Sequence, residues 1–362
     1  MNKARVARWA VAGAGAAAAA VAAGVVVERR IVRARKAGSR GADELGGLRG
    51  DAVTVRTPDG VALHVEVDEV APYDTGRREH DPSEATVVLV HGYALNLDCW
   101  HFQRAHLRGK RRIVLYDQRS HGRSSRSKAE HADIDQLGHD LKTVLDQVVP
   151  EGPVVLAGHS MGGMTIMALA EHHPELFGDR VVGVALISTT AGGLRPHRII
   201  SRLIPDSLGG QAGLRLMALL SRAPDLVDGA RKLGSNIGFL VTDQFAFGEE
   251  VPAAYVEFVD EMLAGTPFEV LAEFYPHFEK LDKFAVLHAF EEVPTTIVAG
   301  TKDSITSVGH SRKLAKRIAG SRLVEASGAG HMVIMEKSAK VNAALDDLIT
   351  VAEQRHAESR AS

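Results

Sequence analysis

The stretch PVVLAGHSMGGMTIMAL, residues 153–169, runs apolar, turns glycine-rich around one serine, and then runs apolar again. Residues 153–158 read as a buried strand, and the small residues after Ser160 suit a helix. A tight strand-to-helix turn needs glycine whatever its purpose, because a side chain blocks the close approach. The same turn can also present Ser160 as a nucleophile, with the free N–H groups of the first helical turn aimed where negative charge develops. The pattern G-x-S-x-G alone does not decide between these readings. With 35 glycines in 362 residues, roughly one sequence in five of this make-up contains it by chance. The rest of the chain decides.

Working outward, six further segments are apolar or alternate regularly. ATVVLVH (85–91), RIVLYD (112–117), VVGVALIS (181–188) and TTIVAG (295–300) are continuous apolar runs like 153–158. Runs of that kind are strands covered on both faces, as in a parallel sheet flanked by helices. Helical patterns separate them at 133–148, 161–173 and 308–318. Ahead of them, AVTVRT and VALHVEVD alternate around Pro58-Asp59-Gly60, the signature of a hairpin. A short strand, RLVEA, precedes a C-terminal helix around 337–353. The fold class expected is α/β, a doubly wound and mostly parallel sheet with a hairpin at its edge.

The rhythm breaks once. About a hundred residues between Ser188 and Pro294 show no convincing strand, too many for a loop in a compact domain, so an inserted helical cap is expected there. Nine of the eleven phenylalanines lie between Phe239 and Phe290, with Met217 and Met262 in the same insertion. Most of these side chains would form the insertion's own core. A small cap cannot hide them all, so some are expected to face a pocket.

The bulk composition excludes more than it selects. Forty-three basic and 45 acidic residues leave a formal charge of −2, so no basic excess points to nucleic acid. Cys99 is the only cysteine, which rules out an intramolecular disulfide and any zinc site built on several thiolates. No H-E-x-x-H occurs, and the adjacent His172 and His173 read as a helix end, so neither a metal nor a cofactor is expected.

The N-terminus differs in kind. Trp9 to Val27 carries no charge, and nineteen helical residues would span about 28 Å, close to a bilayer core. Lys3, Arg5 and Arg8 precede the run, as in a secretory signal, but Arg29, Arg30, Arg33, Arg35, Lys36 and Arg40 follow it, which opposes export. A membrane anchor with the folded body on the cytoplasmic side is the favoured reading. Export by a signal peptide and a soluble helix are the alternatives, since ten of the nineteen residues are alanine. The expected organisation is a basic-flanked apolar helix (1–36), a glycine-rich linker (37–50), core segments at 51–190 and 291–353, a cap (191–290) and a tail (354–362).

Serine needs a base, and the base needs a carboxylate to orient it. Asp303, in AGTKDSI, follows the strand 295–300, at the end where open α/β sheets build their sites. His331, in ASGAGHMV, lies between the last short strand and the C-terminal helix. The order serine, acid, histidine is the one this strand–turn–helix context calls for. An oxyanion hole needs two N–H donors; Met161 offers one, and Tyr93, after His91-Gly92, is the candidate for the other.

The set VLVHGYALN, YDQRSHGRSS, LAGHSMGG, VAGTKDS and SGAGHMV resembles the α/β-hydrolase superfamily over about residues 52–353. The resemblance implies Ser160 as nucleophile, Asp303 as acid, His331 as base, Tyr93 and Met161 as oxyanion donors, Gly158 and Gly162 as the elbow glycines, and 191–290 as a lid. Two departures stand out. Ser120 occupies a place where members usually carry glycine, and SVGHSRKLA lacks the proline often found after the acid. Members that act on haloalkanes or epoxides carry aspartate at the elbow, so Ser160 favours acyl-enzyme chemistry on an apolar ester, thioester or lipid. Acyl transfer, peroxide chemistry of the cofactor-free haloperoxidase kind, and a non-catalytic binding protein are the alternatives.

Overall fold

The computed structural model describes residues 45–70, 81, 83–195 and 242–361. The apolar run 9–27 and residues 196–241 of the expected cap lie outside these. Among the described residues, no helix is long and apolar enough to cross a membrane.

The continuous apolar runs become strands. The eight are β1 (Asp51–Arg56), β2 (Ala62–Asp68), β3 (Thr86–Val90), β4 (Ile113–Tyr116), β5 (Val154–His159), β6 (Val181–Ile187), β7 (Thr295–Gly300) and β8 (Arg322–Ala326). They form one sheet in the order β1-β2-β4-β3-β5-β6-β7-β8. β1 and β2 make the edge hairpin, β2 pairs antiparallel with β4, and every other pairing is parallel. The hairpin turns where expected: Gly60 sits at φ 88° and its N–H donates to the Thr57 carbonyl.

Alternation within the apolar runs shows why both faces are covered. Val87 and Leu89 of β3, with Val155 and Ala157 of β5, join a core with Leu107, Leu345 and Leu348. Their neighbours Val88, Val90, Val154 and Leu156 join a second core with Leu141, Val144 and Ile166. The helices responsible are α1 (His101–Leu107), α2 (Ile134–Val148), α3 (Met161–His172), α4 (Ala253–Gly265), α5 (Phe268–Lys280), α6 (Val308–Arg317), α7 (Val333–Glu336) and α8 (Ser338–Ala361). Asp133 caps α2 by accepting from the Gln136 N–H. α8 continues to Ala361, through residues that composition alone assigned to a tail.

The described part of 191–290 is helical, with α4 and α5 its main elements. Phe268, Phe274 and Phe278 of α5 are buried. Phe258 and Met262 of α4 line a cavity of about 400 Å³, together with Leu95, Asn96 and Asp98 from the loop after β3.

Candidate active site

The strand order fixes where a site can form. β3 lies between β4 and β5, so the chain leaves β3 to one side and returns past it to build β5. The crevice at the carboxyl ends of β3 and β5 is therefore the topological switch point. Gly92 follows β3 and Ser160 follows β5. A methyl group on Gly92 would lie 3.2 Å from the Ser160 Cβ, which places the two loops in contact.

Ser160 joins β5 to α3 with φ 52° and ψ −116°, a strained conformation for a residue with a side chain. Its neighbours permit it. A Cβ on Gly158 would fall 2.5 Å from the Gly162 carbonyl carbon, and one on Gly162 would fall 2.1 Å from the Val90 oxygen. The turn is held by the Ser160 N–H donating to Ile187 (2.9 Å) and by Thr189 Oγ1 donating to the Ser160 carbonyl (2.7 Å). Met161 opens α3, so its N–H belongs to the first turn, which lies outside the helix's own ladder.

Asp303 and His331 meet across the ends of β7 and β8. His331 Nδ1 lies 2.9 Å from Asp303 Oδ2, and both side chains are almost wholly buried. A ring nitrogen facing a carboxylate carries the proton, and whenever the ring is neutral Nε2 is left as an acceptor. Burial alone would raise the Asp303 pKa, but the His331 charge and hydrogen bond, with N–H and O–H donors, bring it to about 2. The donors are the Ile305 and Thr306 N–H groups on Oδ1 (2.8 Å each) and Thr306 Oγ1 on Oδ2 (2.9 Å). These bonds anchor the acid without the proline missing from SVGHSRKLA. Thr306 was not anticipated; a hydroxyl three residues after an aspartate was its only signal.

His159 ties the two halves together. It precedes Ser160, and its Nε2–H donates to the His331 carbonyl at 3.0 Å, with the rings 4.9 Å apart. Burial, reinforced by the His331 charge, lowers the His159 pKa to about 3, so the ring is neutral. Its Nδ1 has no partner among the described residues. A methyl on Gly92 would come within 2.9 Å of that nitrogen, so the HG pair serves close packing as well as the turn.

Tyr93 lies in the turn after β3, followed by Ala94 at φ 59°. Its ring meets Phe278 edge-on at 4.8 Å and its hydroxyl donates to the Leu271 carbonyl at 2.5 Å, linking this loop to α5. His91 is fixed as the Nδ1–H tautomer: Nδ1 donates to the Gly92 carbonyl (2.7 Å) while Nε2 accepts from the Gln118 N–H (2.9 Å). Ser120 retains a left-handed turn at φ 65° despite its side chain. Its Oγ accepts from the Ser127 N–H at 3.0 Å and from Arg126 at 3.2 Å, bonds that glycine could not make. Among the described residues, Asp135, Glu171 and His172 bring possible ligand atoms within 4.8 Å of one another at the surface. Lys283 pairs with both carboxylates there.

Ser160 is thus buried at a strained strand-to-helix turn on an α/β sheet, and its neighbour His159 bonds the backbone of His331, which pairs with Asp303. The chain belongs to the α/β hydrolase fold family, which matches residues 85–338. The dihydrolipoyllysine-residue acetyltransferase component of an acetoin cleaving system from Pseudomonas putida is 27% identical over 259 residues, 71% of this chain and 61% of that protein. The chain thus spans less than two thirds of that relative. 3-Oxoadipate enol-lactonase 2 of Acinetobacter baylyi is 27% identical over 261 residues, 72% of this chain and 86% of that enzyme. Among solved structures, an esterase from Thermogutta terrifontis superposes with a TM-score of 0.65 at 22% identity, covering 84% of this chain and all of the other. That likeness speaks to the fold.

Proposed function

We propose that the protein is a serine hydrolase that cleaves a carboxylic ester or thioester of an apolar acyl substrate. The observation that carries this reading is the junction at His159, which joins the Ser160 elbow to a histidine already paired with a buried carboxylate. Ser160 Oγ attacks the acyl carbonyl carbon while its proton passes to His331 Nε2. Asp303 holds the imidazolium that forms. Negative charge on the former carbonyl oxygen is met by the N–H groups of Met161 and Tyr93. The tetrahedral species collapses, the C–O or C–S bond breaks, and the leaving alcohol or thiol takes the proton from His331. Water then attacks the acyl-enzyme with His331 again as base, releasing the acid and restoring Ser160.

The enol-lactonase relative, whose name denotes an enzyme opening a lactone ester, supports ester chemistry. The aromatic load of 191–290 supports an apolar acyl group, with that segment as the lid that selects it. The run 9–27 supports membrane association with the catalytic body on the cytoplasmic side. Removal of residues 1–44 is expected to shift the protein from the membrane to the supernatant fraction; unchanged partitioning would refute that part.

The central test is labelling with a fluorophosphonate probe, beside Ser160→Ala and His331→Ala, followed by a p-nitrophenyl ester series. Labelling and turnover are expected in the unaltered protein and in neither variant, with turnover rising toward longer acyl chains. A folded protein that resists the probe would remove the acyl-enzyme.

A further inference from the structure

Five residues beyond His331, at the end of the one-turn helix α7, the half-buried carboxylate of Glu336 gathers backbone donors from two distant segments. It accepts from the Gly330 N–H at 2.5 Å, from Gly248 at 3.0 Å and from Glu249 at 3.2 Å. Gly330 immediately precedes His331. Gly248 and Glu249 belong to the segment that leads into α4, whose Phe258 and Met262 line the cavity beside the loop after β3.

Where the two segments meet, glycines let backbone pack on backbone. A Cβ on Gly330 would lie 2.5 Å from both the Gly248 nitrogen and the Phe247 carbonyl carbon, and one on Gly248 would lie 2.3 Å from the Gly328 oxygen. The Met332 N–H donates to the Ala246 carbonyl at 2.8 Å, and Ser304 Oγ, beside Asp303, donates to the Phe245 carbonyl at 3.3 Å. An outer ion pair, Lys337 with Glu249 at 2.9 Å, closes the junction. Hydrogen bonds to an ionised acceptor are the strong ones, and losing it would strand three N–H groups at once.

We propose that Glu336 is a positioning residue: it fastens segment 245–249 to the loop bearing His331 and so holds the base in place. This rests on His331 as the base. Glu336 touches no reacting atom. Its effect is on where His331 stands relative to Ser160 and Asp303.

The test uses the whole chain with Glu336→Gln, which keeps the shape and one acceptor oxygen, and Glu336→Ala. Hydrogen exchange over 245–249 and 328–332 is followed together with the pH dependence of kcat/KM on a p-nitrophenyl ester. In Glu336→Gln, amides of both segments are expected to exchange faster together, by about tenfold. kcat is expected to fall by a similar factor, with KM little changed and the acid limb of the pH profile displaced. Faster exchange confined to one segment would overturn the proposal, and so would an unchanged pH profile with only a lowered melting temperature. If the unaltered protein neither labels nor turns over ester, the hydrolase reading fails, and the exchange result alone upholds or overturns the link between the segments.

Discussion

Asp303 has two separate tasks, and its two oxygens divide them. Oδ1 takes the Ile305 and Thr306 N–H groups, which fixes the loop, while Oδ2 takes His331 Nδ1–H and the Thr306 hydroxyl. Asp303→Asn can present an N–H₂ to His331 and then favours the tautomer protonated on Nε2, which cannot accept the serine proton. The expected outcome is a loss of about 10³- to 10⁴-fold in kcat with the fold intact, read from ester turnover beside the thermal transition. Thr306→Val removes one of several donors to a charged acceptor, worth about 1.5 kcal/mol, so a loss near tenfold is expected. Equal losses in the two variants would show that the acid's orientation depends wholly on the threonine. Asp303 and His331 could be singled out in the sequence because each follows a strand in the required order, and the fold pairs them at 2.9 Å. Thr306 and Glu336 could not be singled out: a hydroxyl three residues after an aspartate is a weak signal on its own, and Gly248 and Glu249 reach Glu336 only through the tertiary fold.

At the scale of elements, α3 explains why the apolar pattern after Ser160 shows no polar face. Its first ten residues are all buried, so it has no side to give to water. Gly162 and Gly163 let the helix start flush against the sheet: a Cβ at 162 would meet the Val90 oxygen at 2.1 Å, and one at 163 would meet Thr189 at 2.6 Å. Backbone cannot yield as a side-chain tip can. Gly162→Ala is therefore expected to lose about 3 kcal/mol or more and to abolish ester turnover, measured by urea unfolding and the p-nitrophenyl assay. Gly265→Ala, at the end of α4 with open space around its would-be Cβ, is the contrast. It should be neutral or stabilise by up to about 1 kcal/mol. Similar costs at both sites would mean that helix propensity, and not close approach, governs Gly162. The continuous apolar runs announced a sheet covered on both faces, and the strand boundaries followed within a residue or two. The strand order did not announce itself, because the run at 85–91 reads like the runs beside it. Only long-range pairing places β3 between β4 and β5 and so creates the crevice.

Across the whole molecule, the site is surrounded by imidazoles that folding keeps uncharged. Burial lowers His91 to about 4, while His121 and His159 fall to about 3 through burial and the neighbouring histidine charges. An unfolded chain protonates these rings near pH 6.5, and the folded chain does not. Above about pH 7 both states are neutral and the groups leave stability unchanged. Below about 6.5 the unfolded state binds the extra protons, so each ring removes about 1.4 kcal/mol per pH unit until its folded pKa is reached. Asp59 and Asp303, both lowered to about 2, act in the same sense, but only below about pH 4, where their unfolded counterparts protonate. Asp117 and Asp140 oppose this: burial raises their pKa, so the folded state takes up protons earlier as pH falls and recovers part of the loss. Glu336 is raised in the same way, while His139 and His310 are lowered along with the three rings, and a domain's total stability is only about 5–15 kcal/mol. The urea midpoint is therefore expected to fall steeply between pH 7 and pH 5. His121 isolates the cause, because its Nδ1–H bond to the Arg119 carbonyl is the one hydrogen bond its side chain makes among the described residues, and Nε2 has no partner there. Its ring already packs against Phe274 and Tyr93. His121→Phe keeps that packing and removes the titration, so it should lose about 1–2 kcal/mol less than the parent between pH 7 and pH 5. Parallel losses in the two proteins would show that the His121 ring does not carry the acid sensitivity over this interval.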